Sequence, residues 1–92
     1  MNSNKDLRQI LQLLGDSTRY KMFRILSAKH DLCVSEIAER LNISVPAASQ
    51  HFRAMENAGL VLKKRDGQKM CYMLDDEDAI TKTLIKLMKR ED

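Results

Sequence analysis

The sequence predicts a mainly α-helical single domain with one β-hairpin. Apolar residues recur at helical spacing along most of the chain, and the period changes to a strand-like one only between Leu60 and Leu74. An Asp66-Gly67 pair, a strong hairpin signal, lies inside that stretch. The 92 residues include one proline and three glycines, which leaves little length for long loops or a second domain. There is no tryptophan, two Phe and two Tyr, so the core must rest on Leu, Ile, Met and Ala. A chain this short buries about 60–65% of the surface its unfolded form exposes, and a dimer interface is the expected supplement.

In chain order, Leu7, Ile10, Leu11 and Leu14 repeat at i, i+3, i+4 and i+7. They predict a first helix over about 5–14, capped by Asn4 and ended by Gly15. Asp16 caps a second helix from Ser17 to Ser27, with Tyr20, Phe23, Ile25 and Leu26 on or near one face. His30-Asp31-Leu32-Cys33-Val34 reads as a short extended segment. A third helix around Ser35 to Leu41 turns Ile37, Ala38 and Leu41 inward, and Asn42-Ile43-Ser44 forms a turn. Ser44 caps a fourth helix, with Pro46 in the first turn, where its missing N–H does no damage. That helix carries Ala48, Phe52 and Met55 inward and stops at Asn57-Ala58-Gly59. Leu60 to Arg65 and Lys69 to Leu74 read as strands joined through Asp66-Gly67. Asp75-Asp76-Glu77-Asp78 puts acid into the first turn of a last helix, about 76–90, which ends in Lys86, Lys89 and Arg90 as the helix dipole favours. Its Ile80, Leu84, Leu87 and Met88 form one stripe.

A short helix, a tight turn and a longer helix followed by a basic hairpin describe a winged helix-turn-helix, here with five helices. The helix-turn-helix covers about 35–58 and the wing 60–74, with apolar stripes on the first and last helices. A projected helix of this width fits the major groove of duplex DNA. With Ala48, Phe52 and Met55 inward, the outward residues include Ser44, Val45, Ala47, Ser49, Gln50 and Arg53. Small residues at the tip allow close approach, while Gln50 and Arg53 suit adenine and guanine or phosphate. Lys63, Lys64, Arg65 and Lys69 surround the hairpin turn as a cationic prong for the DNA backbone or minor groove. Alone, the same charges would read as a solvated edge strand defended against pairing. The net charge of +3 is mild because this basic wing is offset by the acidic run at Asp75 to Asp78.

Several segments resemble the ArsR/SmtB family. They are Leu14-Gly15-Asp16-Ser17-Thr18-Arg19-Tyr20, Asp31-Leu32-Cys33-Val34-Ser35-Glu36-Ile37-Ala38, Ser49-Gln50-His51-Phe52, Ala58-Gly59-Leu60-Val61, Arg65-Asp66-Gly67-Gln68 and Tyr72-Met73-Leu74. The resemblance runs from about Leu11 to Lys89 and implies a small dimeric repressor that leaves DNA when a metal or other signal binds. It implies a homodimer through the first and last helices and a double-stranded operator as partner. By position, it puts recognition contacts at Val45, Pro46, Ser49 and Gln50. Family members commonly have polar residues at the first two, so the weight shifts to Ser49, Gln50 and Arg53. His51 reads as a buffer between helix and backbone more than as a ligand.

The resemblance also implies two metal sites, and this sequence completes neither. Where a Cys-Val-Cys would begin the third helix, Cys33-Val34-Ser35 has one thiol. Where the last helix would supply Asp and His ligands, the aligned positions are Asp76, Asp78, Lys89 and Asp92, without an imidazole. Candidate sensor residues remain in Cys33, Cys71 and His30. His30 and Cys33 lie three apart with Asp31 between, which also fits a loop histidine beside a packed cysteine. Winged helices usually pair the segment before the third helix with the second wing strand, which would set Cys33 opposite Cys71. Directly opposed Cβ atoms lie about 4.5–5.5 Å apart, slightly wide of the ~3.5–4.5 Å of a disulfide. The two thiols are thus a candidate redox, persulfide or soft-metal switch, against the ordinary alternative of inert packing.

Other function classes fit poorly. No apolar stretch approaches the ~18–20 residues of a membrane span. Met1-Asn2-Ser3-Asn4-Lys5-Asp6 has no secretory-signal pattern, and two cysteines without one point to the reducing cytoplasm. No Gly-rich phosphate loop, paired nucleophile and base, or complete metal triad marks an enzyme. The alternative from another class is a winged-helix protein-interaction module without DNA binding, favoured by Val45 and Pro46 at the head of the fourth helix.

Overall fold

The computed structural model describes residues 6–29 and 31–91. Its elements begin where side chains satisfy the unpaired N–H groups of a helix's first turn. Asp6 accepts from the Arg8 N–H at 3.0 Å and starts α1 (Leu7–Leu14). The expected cap Asn4 lies outside the described residues. Asp16 accepts from the Arg19 N–H at 3.0 Å and starts α2 (Ser17–Ala28). Ahead of α3 (Val34–Leu41) stands Cys33, whose own N–H donates to the Glu36 carboxylate at 2.9 Å. Ser44 Oγ accepts from the Ala47 N–H at 3.1 Å and starts α4 (Val45–Asn57).

The last helix differs from the sequence expectation. It is α5 (Ala79–Glu91), so the acidic run precedes the first turn and does not fill it. Asp78 Oδ2 accepts from both the Thr81 N–H at 3.0 Å and the Thr81 hydroxyl at 3.2 Å. An Asp that satisfies first-turn donors must sit outside the helix, and that competition moves the start to Ala79. It also supplies a partner for Thr81, which is fully buried.

The turn between α3 and α4 is set by Asn42, which closes α3 in the left-handed region at φ 57°. Asparagine tolerates that conformation, and the Ile43 N–H then bonds back to the Ala38 carbonyl at 3.0 Å. The chain reverses within three residues and sends α4 out from the body.

Three antiparallel strands, β1 (Leu32–Cys33), β2 (Val61–Asp66) and β3 (Lys69–Leu74), form a sheet in the order β1-β3-β2. Leu32 faces Tyr72 and Cys33 faces Cys71; on the other side Lys64 faces Cys71 and Asp66 faces Lys69. The hairpin loop is therefore Gly67-Gln68, one residue later than Asp66-Gly67. Gly67 takes φ +64° at the first central position, where a two-residue loop of the II′ kind needs glycine.

Phe23, Met22, Ile37, Phe52, Met55 and Leu60 are fully enclosed where the helices meet the sheet. Phe52 of α4 stacks on Tyr72 of β3 with ring centroids 4.3 Å apart and planes 9° from parallel. One aromatic pair thus fixes the recognition helix to the wing. The stripes of the terminal helices divide between the two sides. Ile10, Leu14 and Met88 are buried, whereas Leu7, Leu11 and Leu87 are 50%, 53% and 55% exposed. Leu7, Leu11, Ile80, Leu84 and Leu87 line an apolar groove of about 380 Å³ between α1 and α5.

Candidate nucleic-acid interface

Helix α4 has one face in the core and the opposite face outward. Ala48, Phe52 and Met55 are fully buried. Ser44, Val45, Gln50 and Arg53 are exposed, and Ala47 and Ser49 half-buried. A groove of about 310 Å³ lies between this helix and the wing, lined by Val45 and Ser49 of the helix, Gln68, Lys69 and Met70 of the wing, and Cys33. The structure therefore brings Ser49 and Lys69, one from each half of the expected interface, to a single cavity. The Ser44 oxygen is engaged as the helix cap, which leaves its hydroxyl hydrogen to donate outward.

The wing cations divide into two kinds, and the sequence did not reveal the division. Lys64 Nζ donates to Asp31 Oδ2 at 3.0 Å, and Lys63 Nζ lies 3.8 Å from Glu56 Oε1. The hydrogen bond to Asp31, followed by that carboxylate's charge, holds the Lys64 ammonium above its ordinary pKa. Arg65 and Lys69 are exposed and have no carboxylate within ion-pair distance among the described residues. A phosphate would meet these two first, and could exchange for the acids that hold Lys63 and Lys64. Asp31 and Glu56 sit 33 and 7 positions away in sequence and become partners only through the sheet and the end of α4.

Arg19 is a further residue that the sequence reading did not single out. Its Nε donates to the Leu13 carbonyl at 2.7 Å, and its Nη1 lies 3.2 Å from His51 Nδ1. Because a guanidinium can only donate, Nδ1 is the acceptor in this contact. Arg19 thereby joins the end of α1 to the middle of α4, and the observed partner of His51 is the Arg19 side chain. Asp16 caps the same turn, and the Arg19 N–H is the main reason its carboxyl titrates below the ordinary 3.8. A depressed carboxyl contributes stability that is present above its unfolded pKa and lost as pH falls through the folded one. Asp16→Ala is therefore expected to flatten the acid limb of the stability curve below about pH 4, read by urea unfolding across pH.

The two cysteines are joined. Cys33 and Cys71 stand opposite in register and form a disulfide that spans a sequence separation of 38. The expected pairing of the extended segment with the second wing strand is the observed one. Cys71 is 2% exposed, while Cys33 is only partly covered. His30, the third candidate sensor residue, lies outside the described residues, as does Asp92. Among the described residues no group of three or more His, Cys, Asp or Glu side chains could hold a metal ion. Nor is any helix among them long and apolar enough to cross a membrane.

The sequence profile described as "Bacterial regulatory protein, arsR family" matches residues 16–63, from the cap of α2 into the wing. The chain belongs to the ArsR family. The match takes in the whole helix-turn-helix and the first half of β2. Among ArsR relatives, the chain is 35% identical over 72 residues to the cadmium resistance transcriptional regulatory protein CadC homolog of Staphylococcus aureus, covering 78% of this chain and 60% of that one. It is 36% identical over 83 residues to the HTH-type transcriptional regulator YuzN of Bacillus subtilis, covering 84% and 88%. The structure superposes on HlyU from Vibrio cholerae with a TM-score of 0.81 and 27% identity, covering 91% of this chain and 88% of that one. The chain thus spans less than two thirds of the cadmium-resistance relative and nearly all of the other two.

Proposed function

We propose that this ArsR-family chain is a transcriptional repressor that binds a palindromic operator as a homodimer in the cytoplasm. The observation that carries the reading is the shared groove, in which Ser49 of the recognition helix and Lys69 of the wing line one cavity, while Arg53 and Arg65 are exposed cations on the same two elements. Helix α4 then enters the major groove, with Ser49, Gln50 and Arg53 at base edges or phosphates and Ser44 and Ala47 at the close approach. Lys63, Lys64, Arg65 and Lys69 take the neighbouring backbone. The exposed leucines of α1 and α5 supply the second copy's docking face, because a two-fold axis there buries the same stripe on both chains. Two recognition helices then address successive major grooves about 34 Å apart.

The cadmium-resistance relative carries its function in its name, but the chain completes neither of the expected metal sites. The joined thiols Cys33 and Cys71 are the group through which a thiol-based signal (an oxidant, a persulfide or a soft metal) would release the operator. The alternative, a protein-interaction module, draws on one observation: Val45 is 50% exposed at the head of α4, an apolar spot where DNA readers favour polar groups.

Gel-shift with bulk genomic DNA over a salt series separates the two. A DNA reader loses affinity with a log–log slope of about −0.9 per phosphate neutralised, whereas an interaction module retains no duplex. Lys64→Ala with Arg65→Ala is expected to weaken binding to every duplex and to flatten that slope by about 2. Gln50→Ala is expected to change which sequences are preferred, read by selection from a random duplex pool.

A further inference from the structure

The disulfide joins two sulfurs in unlike surroundings. Cys71 lies on the central strand between β1 and β2, is 2% exposed, and has Lys64 as its neighbour on the other side. Cys33 is on the short edge strand, is partly exposed, and lines the groove shared by Val45, Ser49 and Lys69. It is also the residue immediately ahead of α3, where the unpaired N–H groups of the first turn and the helix dipole favour a thiolate. The Asp31 carboxylate is paired with the Lys64 ammonium, whereas Glu36 accepts from the Cys33 N–H and keeps its charge.

We propose that Cys33 is an S-thiolation site for small cellular thiols and disulfides, with Cys71 as its resolving partner. This rests on the thiol-responsive reading above and names the sulfur at which it starts. In the reducing direction, a thiolate RS⁻ attacks Cys33 Sγ; an RS–Sγ bond forms, the Cys33–Cys71 bond breaks, and the electron pair leaves on Cys71, which takes a proton from solvent. A second RS⁻ releases RSSR and leaves both cysteines reduced. In the oxidising direction, the Cys33 thiolate attacks RSSR and expels RS⁻. Cys71 then attacks Cys33 Sγ and expels the second RS⁻, so two electrons pass from the protein to RSSR. In both directions the intermediate is an adduct on Cys33, at the edge of the groove between the recognition helix and the wing. Lys69 gives that groove a cation, which suits a thiol bearing a carboxylate.

The test uses glutathione disulfide as probe and intact-mass spectrometry as readout. Reduced Cys71→Ser is expected to gain one stable adduct, and reduced Cys33→Ser to react on the order of tenfold more slowly, because its remaining thiol is covered. Equal rates, or a faster Cys33→Ser, overturn the assignment. Reduced wild-type protein labelled with limiting iodoacetamide and mapped by peptide makes the result independent of whether the variants fold. Label mainly on Cys33 supports the site, and label mainly on Cys71 contradicts it. Adding sheared duplex DNA to the wild-type reaction is expected to slow labelling of Cys33. Bound DNA with unchanged labelling overturns the placement beside the DNA surface. If no duplex binds, the operator reading fails by itself and the order of labelling still decides the thiolation site.

Discussion

Phe52→Ala is expected to destabilise the chain by about 3–5 kcal/mol, the cost of emptying a large aromatic site in a packed core. The residue is fully buried, and its ring lies flat on Tyr72 with centroids 4.3 Å apart. Its loss removes both the apolar burial and the contact that fixes α4 to β3. A domain of this size has a total stability of about 5–15 kcal/mol, so the variant would retain at best part of its folding margin. Urea unfolding followed by circular dichroism measures the difference. A loss under about 1 kcal/mol would show that the aromatic pair does not hold the wing to the recognition helix. The Tyr72 phenol gives a second reading of the same site. Burial, and then the Glu56 carboxylate, raise its pKa above the ordinary 10.0. In Phe52→Ala the absorbance titration of that phenol is expected to move back toward the ordinary value.

Leu87→Glu is expected to convert the dimer to a monomer with little change in the fold of each chain. Leu87 is 55% exposed and lines the α1–α5 groove, so a carboxylate there is harmless in one copy and unpaired and buried between two. Separating the copies also unlinks two half-site contacts. Operator affinity is expected to fall on the order of a hundredfold or more, the loss that follows when a bivalent contact becomes a single one. Light scattering after size exclusion reads the mass, and anisotropy with a palindromic duplex reads the affinity. An unchanged mass would place the dimer interface elsewhere.

Much of this organisation was legible because local signals agreed with one another. Asp16, Ser44 and Gly15 mark helix ends, and Ala48, Phe52 and Met55 mark an inner face. The change of period at Leu60 marks the wing. Signals failed where two groups competed for one role. Four consecutive acids precede α5, and Asp78 is the one whose carboxylate reaches both donors of Thr81. Long-range partners were out of reach for a different reason. Lys64 with Asp31, and Arg19 with Leu13 and His51, meet only after the sheet and the helix-turn-helix have formed. Nothing in their spacing announces them. The cysteine pair lies between these cases. Its register followed from strand pairing, but which sulfur is covered depends on the order β1-β3-β2, which places Cys71 in the middle.

On the proposed reading, α4 and the wing read a two-fold operator together. Selection of bound sequences from a random duplex pool, with affinity followed over a salt series, tests it most directly. The expected result is an inverted repeat with half-site centres about 10 base pairs apart, or a multiple of that, and affinity that falls steeply with salt. No retained duplex, or binding indifferent to salt, would contradict it.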